Sequence, residues 1–175
     1  MPRVIAPAEL QSRNTVALAR WLLGKVLVRK IGTRRLAFVI TETEAYHGES
    51  DRACHASKGR TPRTDVMYAA GGRWYVYLCY GVHEMLNLVT GPENHPAAVL
   101  IRGVHTVSGP GRLTRSLRID RRLNGAPAVP ASGLHLEDHG ILVPRHRMRR
   151  GPRIGVAYAG PVWAGKPWRF WLEPD

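Results

Sequence analysis

The 175-residue sequence predicts an α+β fold, a curved and mainly antiparallel β-sheet forming a partly open barrel with short helices around it. Three observations predict it. Strand-like and helix-like stretches follow one another irregularly, without the regular βαβ alternation of a parallel sheet. Two hairpin patterns stand out: KVLVRKI (25–31) returning through Gly32-Thr33 into RRLAFVITETEAY (34–46), and RWYVYLCY (73–80) returning through Gly81 into 84–90. Connections are short, and no repeat, low-complexity tract or linker divides the chain, so residues 1–175 are read as a single domain large enough for its own core.

In chain order, APAELQSRNTVALARWLL (6–23) suggests a helix, with Asn14 as N-cap if it starts late and Gly24 as its stop. Gly48 to Lys58 suggests a short helix capped by Ser50 and ended by Gly59, and Thr64 is expected to cap a single turn running to Gly71-Gly72. AAVLIRGV (97–104) is a strand behind Pro96, and GPGRLTRSLRID (109–120) a loop entering a helix. Its glycine-rich start offers backbone N–H groups to a phosphate. Arg112, Arg115 and Arg118 recur every three residues along that helix. RHRMRRGPR (145–153), with Arg147 and Arg149, is a second basic run, followed by IGVAYAG and a last strand, WRFWL (168–172).

The chain carries 26 Lys or Arg against 13 Asp or Glu, a net +13. Between Asn94 and Leu172 the count is 13 basic to three acidic residues, a local +10 that points to a polyanionic partner. No apolar run approaches membrane-spanning length, and the N-terminus lacks the apolar core of a secretory signal. Cys54 and Cys79 share no CxxC spacing, which favours a reduced, cytoplasmic setting without a disulfide.

The chemistry concentrates in Ala37 to Asn87. If 37–46 is a regular strand, alternation places Phe38, Ile40, Glu42, Glu44 and Tyr46 on one face, with a carboxylate about 7 Å from an aromatic ring. Glu44 is the candidate general base; the competing reading is a surface carboxylate. Arg102 interrupts an apolar strand, either as a structural ion pair or as a cation that keeps Glu44 ionised and holds a water or phosphate beside it. Tyr75 reads as an ordinary strand aromatic. Tyr80 falls near a hairpin tip, where an exposed ring beside basic surface suits stacking on bases or wedging between them. His55 alone reads as a surface histidine. No His/Cys spacing suits a metal, no lysine sits in an evident pocket strand and no serine has a nucleophile elbow, so water activated by Glu44 is the economical nucleophile, with neither metal nor cofactor required.

At these residues the chain resembles the alkyladenine (3-methyladenine) DNA glycosylase family over nearly its whole length, through ARWLLGKVLV, ITETEAYHG, DRACHASKGRTPR, YVYLCYG with Asn87, VLIRG, GPGRLTRSLRI and RIGVAYAG. The resemblance implies a monomeric, monofunctional enzyme without lyase activity that removes alkylated or deaminated purines from duplex DNA. It implies that Glu44 activates the attacking water, which Arg102 and the backbone carbonyl of Ile154 help to bind. Tyr46 on one side, with His55 and Tyr77 on the other, would sandwich the flipped base; the backbone N–H of His55 would read its edge, and Asn87 would disfavour guanine. Tyr80 would fill the gap left in the duplex. Extruding a nucleotide costs a few kcal/mol, and stacking a base on aromatic rings returns roughly 1–3 kcal/mol. If the basic half supplied six phosphate contacts, the salt slope would be about −5.

The sequence also departs from the family. Only VHTVS (104–108) stands where relatives carry a longer segment, Thr114-Arg115 replaces a Cys-Gln pair, and Val82-His83 follows the tip. These differences bear on substrate range and DNA contacts. Two other function classes compete: a non-catalytic nucleic-acid-binding module using the same face, and a hydrolase of free nucleosides, which would need neither the basic half nor the tip aromatic.

Overall fold

The computed structural model describes residues 1–174 and is α+β, with a curled antiparallel sheet and three short helices, α1 (Thr15–Trp21), α2 (Pro110–Ser116) and α3 (Gly160–Ala164). The strands are β1 (Arg3–Val4), β2 (Val26–Ile31), β3 (Arg34–His47), β4 (Arg73–Cys79), β5 (His83–Val89), β6 (Ala97–Val104), β7 (Val107–Ser108), β8 (Leu134–Asp138), β9 (Met148–Gly151) and β10 (Arg169–Leu172). They pair in the order β1-β8-β2-β3-β6-β5-β4, with β10 joining β3 to β9 and β7 folding back on β6.

The fourteen-residue β3 is the axis of the sheet. Its first half pairs with β2, from Ile31 opposite Arg34 to Val26 opposite Val39, and its second half pairs with β6 and β10. The β3–β6 register slips between Ile40 and Thr43, with Gly103 opposite Glu42 and Ile101 opposite Thr43. Such a bulge bends and twists the strand. It also corrects the expected alternation. Ile40 and Ala45, an odd number of residues apart, both enter the main core, so Ile40 does not share a face with Glu44.

The main core is closed by α1 and α2, with Leu22, Leu27, Trp74, Leu88, Ile101 and Leu113 fully buried. Trp74 satisfies its indole N–H by donating to the Leu134 carbonyl at 2.9 Å. The Asn14 side chain accepts from the Ala17 N–H at 2.9 Å, so the helix starts late, at Thr15, and the stretch before it forms only a 3₁₀ turn at Pro7–Leu10. Pro7 and the N-cap competitor Asn14 divide what hydrophobic pattern alone reads as one helix. Thr43, just past the bulge, donates to the Ala19 carbonyl at 2.8 Å and fastens α1 to β3.

Other boundaries differ from expectation. The 48–58 region forms a single 3₁₀ turn, His55–Lys58, preceded by Cys54 and not capped by Ser50. The turn after Thr64 runs only through Asp65–Tyr68, and the Thr64 hydroxyl bonds the Gly59 carbonyl at 3.1 Å instead of capping it. The helix entered at Gly109 ends at Ser116, so Arg118 lies beyond it, at φ 48°. Just past that end, the Leu117 and Arg118 carbonyls accept from the Arg29 guanidinium at 3.1 and 3.0 Å. Segment 104–108 makes a tight return from β6 into β7. Among the described residues no helix is long and apolar enough to cross a membrane.

Candidate active site

From the bulge onward, β3 presents Glu42, Glu44 and Tyr46 on one side, where Glu44 and Tyr46 meet segment 152–164. Glu44 has no solvent exposure. Its Oε1 accepts from the Tyr46 hydroxyl at 3.0 Å and its Oε2 from the Ile154 N–H at 2.6 Å, while Arg102 Nη1 stands 3.6 Å from Oε1. Arg102 is shared: its Nε donates to Glu42 at 3.1 Å, and Arg169 reaches the same Glu42 oxygen at 3.2 Å. The surface reading of Glu44 is therefore overturned. Arg102 proves to be both a structural ion pair and a neighbour of Glu44.

Burial pushes the Glu44 carboxyl above its ordinary value, opposed by the Arg102 charge and the two hydrogen bonds. Burial and the adjacent carboxylate push the Tyr46 phenol well above its usual range, so it stays a neutral donor.

A second aromatic group is built around His55. His55 and Tyr77 meet edge-on with ring centres 4.6 Å apart, and Tyr75 lies 5.3 Å from Tyr77. Tyr75 is more than a strand aromatic, because its hydroxyl bonds His55 Nδ1 at 2.9 Å and fixes the imidazole. Burial foremost, then the charges of Arg63 and Lys58, depresses the His55 pKa to about 4, so the ring is neutral at physiological pH. Tyr46 and Tyr77 pack at the margin of one small apolar cluster containing Cys54, Met67 and Tyr75, yet no ring contact joins Tyr46 to His55 or Tyr77 among the described residues. Asn87, buried and directly opposite Tyr75, spends its amide N–H on the Tyr75 carbonyl at 3.2 Å.

Sequence reasoning missed the pair that fastens these parts together. Arg153 and Asp51 form a fully buried ion pair at 2.6 and 3.0 Å. Arg153 also donates to the Ala45 and Trp163 carbonyls at 2.9 and 3.1 Å, and Asp51 accepts from the His47 and Ala53 N–H groups, both at 3.0 Å. The pair ties the end of β3, the following loop and segment 152–164 into one unit, with Ile154 the next residue along. Tyr158, also overlooked, donates to the Ala53 carbonyl at 2.9 Å. Both partners of the ion pair lie inside motifs visible in the sequence, DRACHASKG and RIGVAYAG, but only the folded chain brings them together.

At the hairpin tip Tyr80 is 93% exposed, and both it (φ 50°) and Gly81 (φ 66°) are left-handed, with the Val82 N–H closing the turn onto the Cys79 carbonyl at 3.1 Å. A tyrosine in that conformation is unusual and costs about 1–2 kcal/mol. The basic residues are less uniform than their spacing suggested. Arg112, Arg115 and Arg118 are solvent-facing, whereas Arg147 donates to the Glu173 carbonyl at 2.8 Å and Arg149 pairs with the Glu173 carboxylate at 2.8 Å. α2 is only seven residues long, and the His83 ring lies against Gly111 in its first turn.

The sequence matches the profile of methylpurine-DNA glycosylases over residues 9–108 and 104–175. Among similar proteins, one from Anaeromyxobacter dehalogenans is 47% identical over 174 residues, covering 95% of this chain and 83% of its own. One from Myxococcus xanthus is 45% identical, covering 95% and 89%, and one from Methanocella arvoryzae 43% identical, covering 95% and 92%. Each bears the name of a 3-methyladenine DNA glycosylase. On this match the chain belongs to the methylpurine-DNA glycosylase family.

Proposed function

We propose that residues 1–175 act as one monomeric DNA repair domain that flips alkylated or deaminated purines (3-methyladenine, 7-methylguanine, hypoxanthine or ethenoadenine) out of duplex DNA and hydrolyses their N-glycosidic bonds. The observation that carries this reading is Glu44: a carboxylate with no solvent exposure, held by a cation and two hydrogen-bond donors at the end of an aromatic-lined region. A module that only bound nucleic acid would gain nothing from the desolvation cost of that group.

In this mechanism the base enters between Tyr46 on one side and His55 with Tyr77 on the other, the backbone N–H of His55 reads the purine edge, and Asn87 disfavours guanine. Glu44 takes a proton from water as it attacks the sugar carbon, and its negative charge stabilises the oxocarbenium-like transition state. Arg102 and the Ile154 carbonyl orient that water, while the Ile154 N–H and the Tyr46 hydroxyl hold the carboxylate. Water as nucleophile leaves no covalent enzyme–sugar link, so no lyase step follows. Tyr80 fills the vacated stack, and Arg112, Arg115 and Arg118, with lesser roles for Arg147 and Arg149, meet phosphates. An enzyme of this kind works in the cytoplasm, associated with DNA.

Two expected results arise here. Glu44 must be ionised to act, so base release falls as pH drops through its pKa. Burial raises that pKa, placing the acid limb of kcat/KM above the ordinary value of 4.5. Arg102→Gln removes the opposing charge and should move the limb to higher pH, measured on a hypoxanthine duplex; an unmoved limb would mean Arg102 does not tune Glu44. Tyr80→Gly relieves the left-handed backbone and should raise unfolding free energy by about 1 kcal/mol in urea titrations, while base release from duplex DNA falls. Parallel gains in both would remove Tyr80 from the mechanism.

A further inference from the structure

Around the proposed slot the interior charges balance. Glu42, Glu44 and Asp51 are matched by Arg102, Arg153 and Arg169 through the contacts described above. Even the guanidinium of Arg153, 4.9 Å from the centre of the Tyr46 ring, is compensated by Asp51. Arg63 is different. Its guanidinium carbon lies 5.1 Å from the centre of the Tyr77 ring, the side chain is exposed, and no carboxylate pairs with it among the described residues. Arg63 is also firmly presented. It precedes Thr64 in a tight turn in which the Thr61 N–H donates to the Thr64 hydroxyl at 2.9 Å, the Thr64 N–H donates back to the Thr61 hydroxyl at 3.2 Å, and the Asp65 N–H donates to the Thr61 carbonyl at 2.9 Å.

We propose that Arg63 is a specificity-determining residue: its uncompensated positive charge at the Tyr77–His55 wall disfavours cationic purines in the slot relative to neutral ones. This rests on the slot assigned under the proposed function. The physical argument has two parts. A ring whose π-electrons already face one cation attracts a second less well, so the gain that a methylated, positively charged purine would draw from Tyr77 is reduced. Independently of ring geometry, like charges repel, and a base stacked on Tyr77 and His55 lies within about one Debye length of Arg63, too close for salt to screen it fully. The imidazole of His55 reports the same field, since Arg63 is one of the charges that keep it unprotonated. A neutral purine such as hypoxanthine feels neither effect.

The test compares single-turnover kcat/KM on two duplexes of one sequence, carrying 7-methylguanine (cationic) or hypoxanthine (neutral), for the unaltered protein, Arg63→Gln and Arg60→Gln. Arg60 is a neighbouring exposed arginine paired with Asp65 at 2.6 Å, stacked over Tyr68 and outside the slot. Arg63→Gln should raise the ratio of 7-methylguanine to hypoxanthine release by about 3- to 10-fold, the increase shrinking as salt is added, whereas Arg60→Gln leaves the ratio unchanged. Any loss of general DNA affinity lowers both rates and cancels in the ratio. An unchanged or lower ratio in Arg63→Gln, including an equal fall in both rates, would overturn the proposal while leaving the glycosylase reading intact. Release of neither base by the unaltered protein would instead remove the slot on which it rests.

Discussion

Glu44→Gln is expected to lower release of hypoxanthine from duplex DNA by about 10²- to 10⁴-fold, the usual contribution of a general base, while affinity for the same duplex changes by less than about tenfold. Glutamine keeps the shape of the side chain and an oxygen for the Ile154 N–H, but it cannot accept a proton from water. Stability separates chemistry from misfolding. A carboxyl whose pKa is raised by folding favours the native state while protonated and loses that contribution as pH rises through the folded value. The ionised Glu44 is thus a cost at pH 8, and the glutamine variant should melt no lower than the parent there. Normal melting, normal binding and an unchanged rate together would remove Glu44 from the chemistry.

Arg153→Ala carries the largest expected effect on stability. Its guanidinium and the Asp51 carboxylate are both fully buried, and deleting one partner leaves the other charged and unmatched. Such deletions cost about 3–5 kcal/mol, which in a chain of this size lowers Tm by about 10 °C. The same deletion frees the Ala45 and Trp163 carbonyls and loosens the attachment of Ile154, so base release at a permissive temperature should also fall. The paired replacement Asp51→Leu with Arg153→Met removes both charges and should cost less than Arg153→Ala alone. A double variant as unstable as the two single changes added together would show that the ion pair itself is not what couples these segments.

Local pattern was enough to locate much of the candidate site. TETEAY already sets a carboxylate two residues from an aromatic on one strand, and the Tyr46–Glu44 hydrogen bond is the direct result of that spacing. Gly81 after an aromatic strand marked the hairpin tip, and the lone arginine of VLIRG marked the cation beside Glu44. What pattern could not show depends on partners distant in sequence. The bulge near Gly103 exists only in the register of β3 against β6, so strict alternation misplaced Ile40 relative to Glu44. Asp51 and Arg153 are 102 residues apart, and each alone looks like a surface charge. Short helical turns were overextended for a local reason: hydrophobic periodicity persists through Pro7 and past Ser116, where the backbone has already left the helix.

The most direct test of the central claim is to incubate excess protein with duplexes bearing a single 3-methyladenine, 7-methylguanine or hypoxanthine and to measure free purine by chromatography. The mechanism predicts stoichiometric free base from at least one of these duplexes, with the sugar–phosphate strand left abasic but unbroken. Duplex that is bound but yields no free purine at any excess of protein would contradict it.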